Sequence, residues 1–596
     1  MKKVYLSILA CALISLSHAQ QIGKTFKSTK YNSTIEKAPT KPVINTEKAF
    51  VIWEDDCSVA GNWTLTNSSA PALNWSWTTD VTATPAFGDA NMTTASNGYF
   101  LINSDAAGNA ASQDASVTYN LTDIDLGAYS DVILEFEHHY RTFEDARTVS
   151  VSADGGMSWT DYVITTNDNA EANVNFAGTT QINISAVAGN IDNVLIKFNY
   201  IGNWGWHWAI DDIRIIEQPI NDIHLLTSWY VGENNEGIEY GRTPLDQLDA
   251  NYIVGSRVSN FGTTDQTMLD VDADFVSFST NLLEPLLASG DTVDIEMSIA
   301  AVTATGVYDG TYTAVSAEET MGPEFFNNSY LRSFAVTDNI YSIDGAGVYP
   351  AAVSELASYG TTSSSSAGSA DGIMLANYYA IKQQSQLSGF ELILGSNTVA
   401  GGEVYISIID TANFFNDDIS PLYLRNAYEI TAADVTAGKA TIFFDNVITL
   451  DANAYFFAAE LYSNDNSNTI SLIDDITVDQ PTYASMIYVP ADLTVYTNGN
   501  AFALRLLMGD TWGVGLNENN LSGVSIYPNP SEGIVNITND KNTQNSIEVY
   551  DLLGNSILTT SANTATTVDL SSNASGIYMI VVSNENGSIV ERVSIK

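Results

Sequence analysis

Trp204, Trp206 and Trp208 stand two residues apart around Gly205 and His207, and Trp75 and Trp77 repeat that spacing. Residues so spaced in an extended strand share one face. Exposed indole rings pack against the apolar faces of pyranose rings, so Trp77, Trp204 and Trp206 are the candidate sugar-stacking residues. Trp208 leads into Ala209-Ile210-Asp211-Asp212-Ile213 and reads as core. A second constellation suits a hard cation. Glu54 and Asp56 lie near the start of the segment 49–217; Asp212 lies near its end, with Asp211 on the other face. A structural Ca2+ between the first and last strands would draw on Glu54, Asp56 and Asp212, because oxygen ligands suit that ion.

The other reactive side chains point to structure. There is no His-Glu-x-x-His, no Gly-x-Ser-x-Gly and no Walker loop. His138 and His139 are neighbours in a strand pattern, so they face opposite ways and cannot jointly hold one metal without a bulge. His207 sits between tryptophans and His224 follows a junction; both read as structural. Asp270-Val271-Asp272-Ala273-Asp274 opens like a calcium loop, but Phe275 stands where that loop needs glycine and the closing acid is missing. It reads as a solvated strand edge. Cys57 reads as a small buried hydrophobe.

These residues need a scaffold, and length and charge constrain it. The chain has 596 residues with 22 Lys+Arg against 70 Asp+Glu, a formal charge of −48. At roughly 100–200 residues per domain, three to five domains are expected. So anionic a body repels phosphate backbones and anionic lipid, which excludes nucleic acid as a partner. No segment after the first 19 residues is long and apolar enough for a membrane-spanning helix. Segments such as Val132–Glu137, Val149–Ser152 and Val194–Phe198 alternate or run apolar over strand lengths between Gly, Asn and Asp turns. The rhythm predicts an all-β chain, a multidomain series of jelly-roll and immunoglobulin-like β-sandwiches.

At the front, Lys2 and Lys3 precede an apolar run from Val4 to Leu16 and then Ser17-His18-Ala19. This is the pattern of a secretory signal peptide cut after Ala19. Ile8-Leu9-Ala10-Cys11 has the order of a lipobox, but the apolar run continues past the cysteine. Removal of residues 1–19 leaves Cys57 as the one cysteine and a charge of 20 − 70 = −50. No intrachain disulfide and no cysteine zinc site can then form. Residues 20–48 hold six lysines and two prolines and are expected to be a flexible lead-in. The block 49–217 holds eight of the ten tryptophans, which marks it as one core. Further blocks are expected at 219–338, immunoglobulin-like, and 339–510, a second jelly-roll-like sandwich. A linker follows at 511–522, then a β-module at 523–596.

Three stretches carry resemblances. Trp53-Glu54-Asp55-Asp56, Ser152–Trp159 and Trp208–Ile215 give block 49–217 the outline of MAM-like jelly rolls called choice-of-anchor J domains, without the cysteines of animal MAM domains. Within it, Ser152-Ala153-Asp154-Gly155-Gly156-Met157-Ser158-Trp159 fits the Asp-box. That pattern implies a hairpin whose Asp bonds turn amides while Trp packs inward, and a single copy does not imply a sialidase. Block 219–338 is weakly similar to adhesion-type immunoglobulin-like modules of bacterial surface proteins. Finally, Val524–Gly533 with its Tyr527-Pro528-Asn529-Pro530, then Ile547–Asn555, Val568-Asp569-Leu570, Ser575–Val582 and Val590–Lys596 resemble the type A C-terminal sorting domain of the Bacteroidetes type IX (Por) secretion system. The resemblance implies handling by the type IX translocon and delivery to the medium or the outer face of the outer membrane.

The expected protein is therefore a secreted or cell-surface binding or adhesion protein for glycan or protein ligands, with no catalytic residue assigned. The alternatives are a polysaccharide hydrolase whose paired carboxylates sit in block 339–510, and a passive surface spacer. Acids are too abundant for a dyad to stand out.

Overall fold

The strand Ser112–Tyr119 buries Gln113, Ala115, Val117 and Tyr119 and leaves the residues between them facing outward. That period-two burial is what a pleated strand imposes, and two layers of such strands facing each other make a sandwich. The computed structural model describes residues 27, 34–37, 50–69, 73–84, 90, 92–110, 112–166, 175–319, 327–350, 353–363, 370–510, 524–539, 541, 543–551, 556–584 and 587–596. The expected leader at 1–19 and linker at 511–522 lie outside them. The fold is all-β, built from sheets that are antiparallel but for the parallel pairing of Arg242–Pro244 with Ser329–Thr337, in two units, 1–510 and 511–596.

Strands of the first part are β1 (Thr34–Lys37), β2 (Val51–Asp55), β3 (Trp63–Asn67), β4 (Ser76–Thr78), β5 (Tyr99–Asn103), β6 (Ser112–Tyr119), β7 (Val132–Arg141), β8 (Asp145–Ser152), β9 (Thr160–Thr165), β10 (Asn175–Asn183), β11 (Leu195–Asn203) and β12 (His207–Glu217). One sheet runs β10-β7-β12-β5-β4, with β2 also on β12; the facing sheet runs β3-β6-β11-β8-β9. Trp53, Trp63, Trp75, Phe100, Tyr119, Phe136, Phe198 and Trp208 fill the space between them. Edge-to-face pairs such as Trp63–Tyr119, 5.1 Å between centroids, give this aromatic core its geometry. At one end of the sandwich a charge is sealed in. Arg147 Nη1 and Nη2 donate to Asp145 at 2.8 and 3.1 Å, Nη2 also donates to the carbonyls of Arg141 and His207, and Tyr200 Oη donates to Asp145. Arg147 thereby ties both sheets to one buried ion pair.

β1 does not belong to this sandwich. It pairs antiparallel with Leu356–Gly360, matching Thr34 to Ser358 and Ile35 to Ala357. Ser396 donates to Glu36, and Thr497 N–H donates to the Lys27 carbonyl. The lead-in expected to be flexible is thus, at these residues, a strand. Its lysines hid that role, because a four-residue edge strand needs no apolar alternation when it covers a sheet border.

Residues 223–337 form a three-stranded sheet (Ile223–Gly232, Asn251–Asn260, Thr292–Ala300) over a five-stranded one (Arg242–Pro244, Ser329–Thr337, Gly306–Val315, Gln266–Phe275, Phe278–Leu287). Their core centres on Tyr230, Phe275, Tyr312 and Phe334. The largest core gathers residues 340–508, yet Ile238 and Tyr240 are in it too. The connection between Ile223–Gly232 and Asn251–Asn260 is sewn into its neighbour: Tyr378 and Tyr483 donate to Glu236, and Gln480 exchanges bonds of 3.1 and 2.9 Å with the Glu239 backbone. Nearby, Asp344 accepts from Arg505 and Arg242. Burial alone would raise its carboxyl, but the two guanidinium charges outweigh it and hold it below the usual range.

The second unit has a three-stranded sheet (Val524–Tyr527, Ile534–Asn539, Ala565–Asp569) and a four-stranded one (Ser556–Ala562, Asn545–Tyr550, Gly576–Asn584, Gly587–Ile595). Val535, Ile547, Val549, Val568, Ile580 and Val593 pack between them.

Candidate binding surfaces and the carboxylate cluster

The tryptophan row dissolves into three separate environments. β11 ends at Asn203 and β12 begins at His207, so Trp204–Trp206 is a turn, with Trp204 at φ +58°. The alternation that would align the rings is broken there. Trp206 is 1% exposed and lies under the Arg141 guanidinium, 4.5 Å from its centroid, so it presents no face to a ligand. Trp204 is half-buried and meets Phe143 edge-on at 6.0 Å. Trp77 is 38% exposed, donates its indole N–H to the Cys57 carbonyl and lies across Gly98, where an added Cβ would come within 2.3 Å of the ring. Trp77 pairs with Phe100, and Phe100 pairs with Ile210, which lies on β12 beyond the turn that holds Trp204. No common stacking strip results.

The acids behave differently. β12 bulges between Asp211 and Arg214, and Asp212 takes φ +48°. The bulge turns both aspartates toward the loop 92–97. Thr93 N–H and Oγ1 donate to Glu137 at 2.6 Å each, Thr94 N–H and Oγ1 donate to Asp212 at 3.0 and 2.8 Å, and Asn97 donates to Asp56 at 3.0 Å. Asp56, Glu137, Asp211 and Asp212 therefore form one electrostatic neighbourhood. Asp211 is pushed up to about 8, by burial first and then by the charge of Asp212; Asp212 is raised by burial, against its bonds from Thr94. Exposed Asp56 goes the other way, held low by Ser58. Glu54 is not in this group. It stands opposite Arg214, in the row where Arg214 pairs with Glu135. Among the described residues no three His, Cys, Asp or Glu side chains are placed to hold a metal ion, so Glu54, Asp56 and Asp212 are not one ligand set as arranged.

Thr93, Thr94 and Glu137 were silent in the sequence, because nothing there shows which loop covers which sheet. Cys57 is fully buried beside these acids; burial, then Asp211, Asp55 and Asp212, hold its thiol well above its ordinary value. His138 and His139 do face opposite ways. His138 accepts from Trp208 Nε1–H at its Nδ1, which leaves Nε2–H for Thr180 Oγ1 at 2.8 Å. Burial holds its pKa well below normal, so it is a neutral core residue. His139 instead meets His207, 4.8 Å between ring centroids. The Asp-box folds into the β8–β9 turn: Asp154 accepts from Ser158 N–H and both flanking serine hydroxyls, and Gly155 and Gly156 take φ +73° and +88°. Those bonds hold Asp154 down to about 2. Trp159, however, packs flat under Lys197 at 4.3 Å on the outer face rather than in the core. Asp270, Asp272 and Asp274 alternate along the strand Gln266–Phe275 and face outward, away from its buried residues.

A further surface, absent from the expected sites, lies on the seven-stranded sheet. Strand Glu403–Asp410 pairs with Asn453–Tyr462 so that Tyr405 sits opposite Glu460 and Glu403 opposite Tyr462. Val404, Ile406, Leu461 and Ala459 point into the core, which turns Glu403, Tyr405, Glu460 and Tyr462 outward together. Glu403 is exposed and the other three are half-exposed. The tyrosine rings meet edge-on at 5.5 Å, and Tyr462 Oη donates to Glu460 at 2.7 Å. The result is a two-by-two checkerboard of aromatic rings and carboxylates. Its signal was present as a repeated Glu-x-Tyr, in Glu403-Val404-Tyr405 and Glu460-Leu461-Tyr462.

In the second unit the terminal motif has a mechanical role. The Asn529 side chain accepts from Ser594 N–H and donates to the Arg592 carbonyl, and Ser531 N–H donates to the Ser594 carbonyl. One asparagine thus clamps the last strand. Residues 525–596 match the family of secretion system C-terminal sorting domains. The chain is a secreted or cell-surface protein handled by the type IX secretion machinery. No helix of the described residues is long and apolar enough to cross a membrane.

No curated protein matches the chain. Similar solved structures include the K1 cleaved adhesin domain of Lys-gingipain from Porphyromonas gingivalis W83, at 13% identity over 27% of this chain and 96% of that one, with a TM-score of 0.20. The mannan-recognising carbohydrate-binding module TmCBM27 shows 14% identity over 28% and 98%, with a TM-score of 0.19. A calcium-binding mutant of Bacteroides uniformis beta-glucuronidase 2 shows 10% over 46% and 32%, with a TM-score of 0.24. The chain spans about a third of the length of the glycoside hydrolases among these structures. At such scores none of them bears on ligand or activity.

Proposed function

We propose that this secreted or cell-surface chain is a binding protein for glycans, and that the Glu403–Tyr405–Glu460–Tyr462 checkerboard is its contact surface. One observation carries the reading: two half-exposed tyrosines in edge contact, each beside a glutamate, on the rigid floor of a sheet. Ring faces suit the C–H faces of a pyranose, and carboxylates accept from its hydroxyls. A site on adjacent strands is held more firmly than one on loops. Trp77, with its remaining exposure, is a secondary contact on the first sandwich, whose jelly-roll-like layers keep the MAM-like resemblance as part of this proposal.

The test is affinity electrophoresis against a polysaccharide panel, with the chain from Gln20 onward. Tyr405→Ala should weaken retention at least about fivefold, since an aromatic contact of this kind contributes about 1 kcal/mol or more. Its melting temperature should stay near that of the parent, because the ring lies outside the core. A panel that shows no retention, or retention equal in parent and variant, overturns the assignment. Release of reducing sugar from the panel would point instead to a hydrolase.

A further inference from the structure

β1 closes one side of the sheet that continues through Leu356–Gly360, Ser471–Asp475 and Ala501–Phe502. Without it, Leu356–Gly360 becomes an edge strand in which Ala357, Ser358, Tyr359 and Gly360 are buried. An open edge is a template for a strand from any chain, because its unpaired N–H and C=O groups accept whichever backbone arrives. The present occupant is short: four residues, matched at Thr34, Ile35 and Lys37, with a bulge between the last two. Its support is equally local. Ser396 N–H and Oγ donate to Glu36 Oε1 at 2.8 and 3.1 Å, and Thr497 N–H donates to the Lys27 carbonyl at 2.8 Å. None of these bonds requires that arm and edge belong to the same copy.

The lead differs in charge from the rest of the chain. Residues 20–48 carry six lysines against Glu36 and Glu47, 6 − 2 = +4. From residue 49 onward, 14 bases face 68 acids, 14 − 68 = −54. The lead is opposite in charge to the remainder of the chain, and every other copy carries that same remainder. Exchange of an identical element remakes each contact of the closed chain, which is why it is a low-cost route to association.

We propose that the arm exchanges between copies, β1 of one chain adding to the Leu356–Gly360 edge of a second and linking chains at high local concentration. The partner is a second copy of this chain. Two variants of the chain from Gln20 onward test it, Glu36→Cys and Ser396→Cys, mixed and treated with a short bis-maleimide. The parent, whose Cys57 is buried, gives the background. The mixture should yield a cross-linked dimer that rises with concentration. A synthetic peptide of residues 27–41 in excess should abolish it. The double variant should also cross-link within one chain. No dimer from the mixture, with the double variant joined only internally, overturns the exchange. No product from either overturns it as well, because the arm then does not lie on this edge in solution.

Discussion

Replacing Asp211 by asparagine tests the carboxylate cluster most directly. Asp211 is fully covered and pushed up to about 8 in the fold, against an ordinary value of 3.8. The folded state therefore keeps a proton that the unfolded chain gives up, so the stabilising contribution is complete below about pH 4 and is lost as pH rises through about 8. Four units at about 1.4 kcal/mol each set a ceiling of about 6 kcal/mol, and the opening of the cluster toward solvent at Asp56 reduces this to roughly 2–3 kcal/mol. The Asp211→Asn change removes the titration, while the new amide oxygen can still accept the Asp212 N–H, which the carboxylate now receives at 2.8 Å. Urea unfolding of the chain from Gln20 onward, at steps from pH 5 to 8 with a chelator present, should show the parent losing roughly 2–3 kcal/mol relative to Asp211→Asn. In melting temperature that is a divergence of roughly 5–10 °C for a domain of this size. Parallel curves for the two proteins would refute the reasoning, because Asp211 would then be ionised in both states or in neither. Calcium gives the same experiment a second reading: a cation seated near Asp56 and Asp212 would cancel the repulsion and flatten the parent's slope.

Other outcomes follow from single contacts. Arg147→Met should cost about 3–5 kcal/mol in urea unfolding, because it leaves the Asp145 carboxylate buried without its cation. Asn529→Ala should loosen the last strand and lower the melting temperature of the terminal unit, read by near-UV circular dichroism of residues 511–596. An unchanged melt would show that backbone pairing alone holds the strand. Cys57 should resist alkylation by iodoacetamide at pH 8 and react at once in urea, since burial and three neighbouring aspartates suppress its thiolate.

The class of the fold was legible because strands such as Ser112–Tyr119 and Gln266–Phe275 keep period two, and the tail because its turns are written in Asn, Pro and Gly. Legibility failed where one residue breaks the period. Trp204 at positive φ sends Trp206 under Arg141 instead of beside Trp204, and the bulge after Asp211 brings two acids to one loop that strict alternation would separate. It failed again where partners are remote. Glu236 and Tyr240 look like loop residues, but the tyrosines that receive them lie beyond residue 340. Glu403 and Tyr405 carry a legible signal, the spacing repeated at Glu460 and Tyr462.

The arm also has a consequence in time. Glu36 meets Ser396 at a separation of 360 residues, and Lys27 meets Thr497 at 470. Ribosomes add about 5–20 residues per second, so the first of these segments exists for roughly half a minute to a minute and a half before its last partner is made. A segment synthesised early is fastened hundreds of residues later. A chain cut short before residue 356 would carry at its front a basic lead without the sheet edge that receives it, and a protease would find there a record that the molecule was never finished.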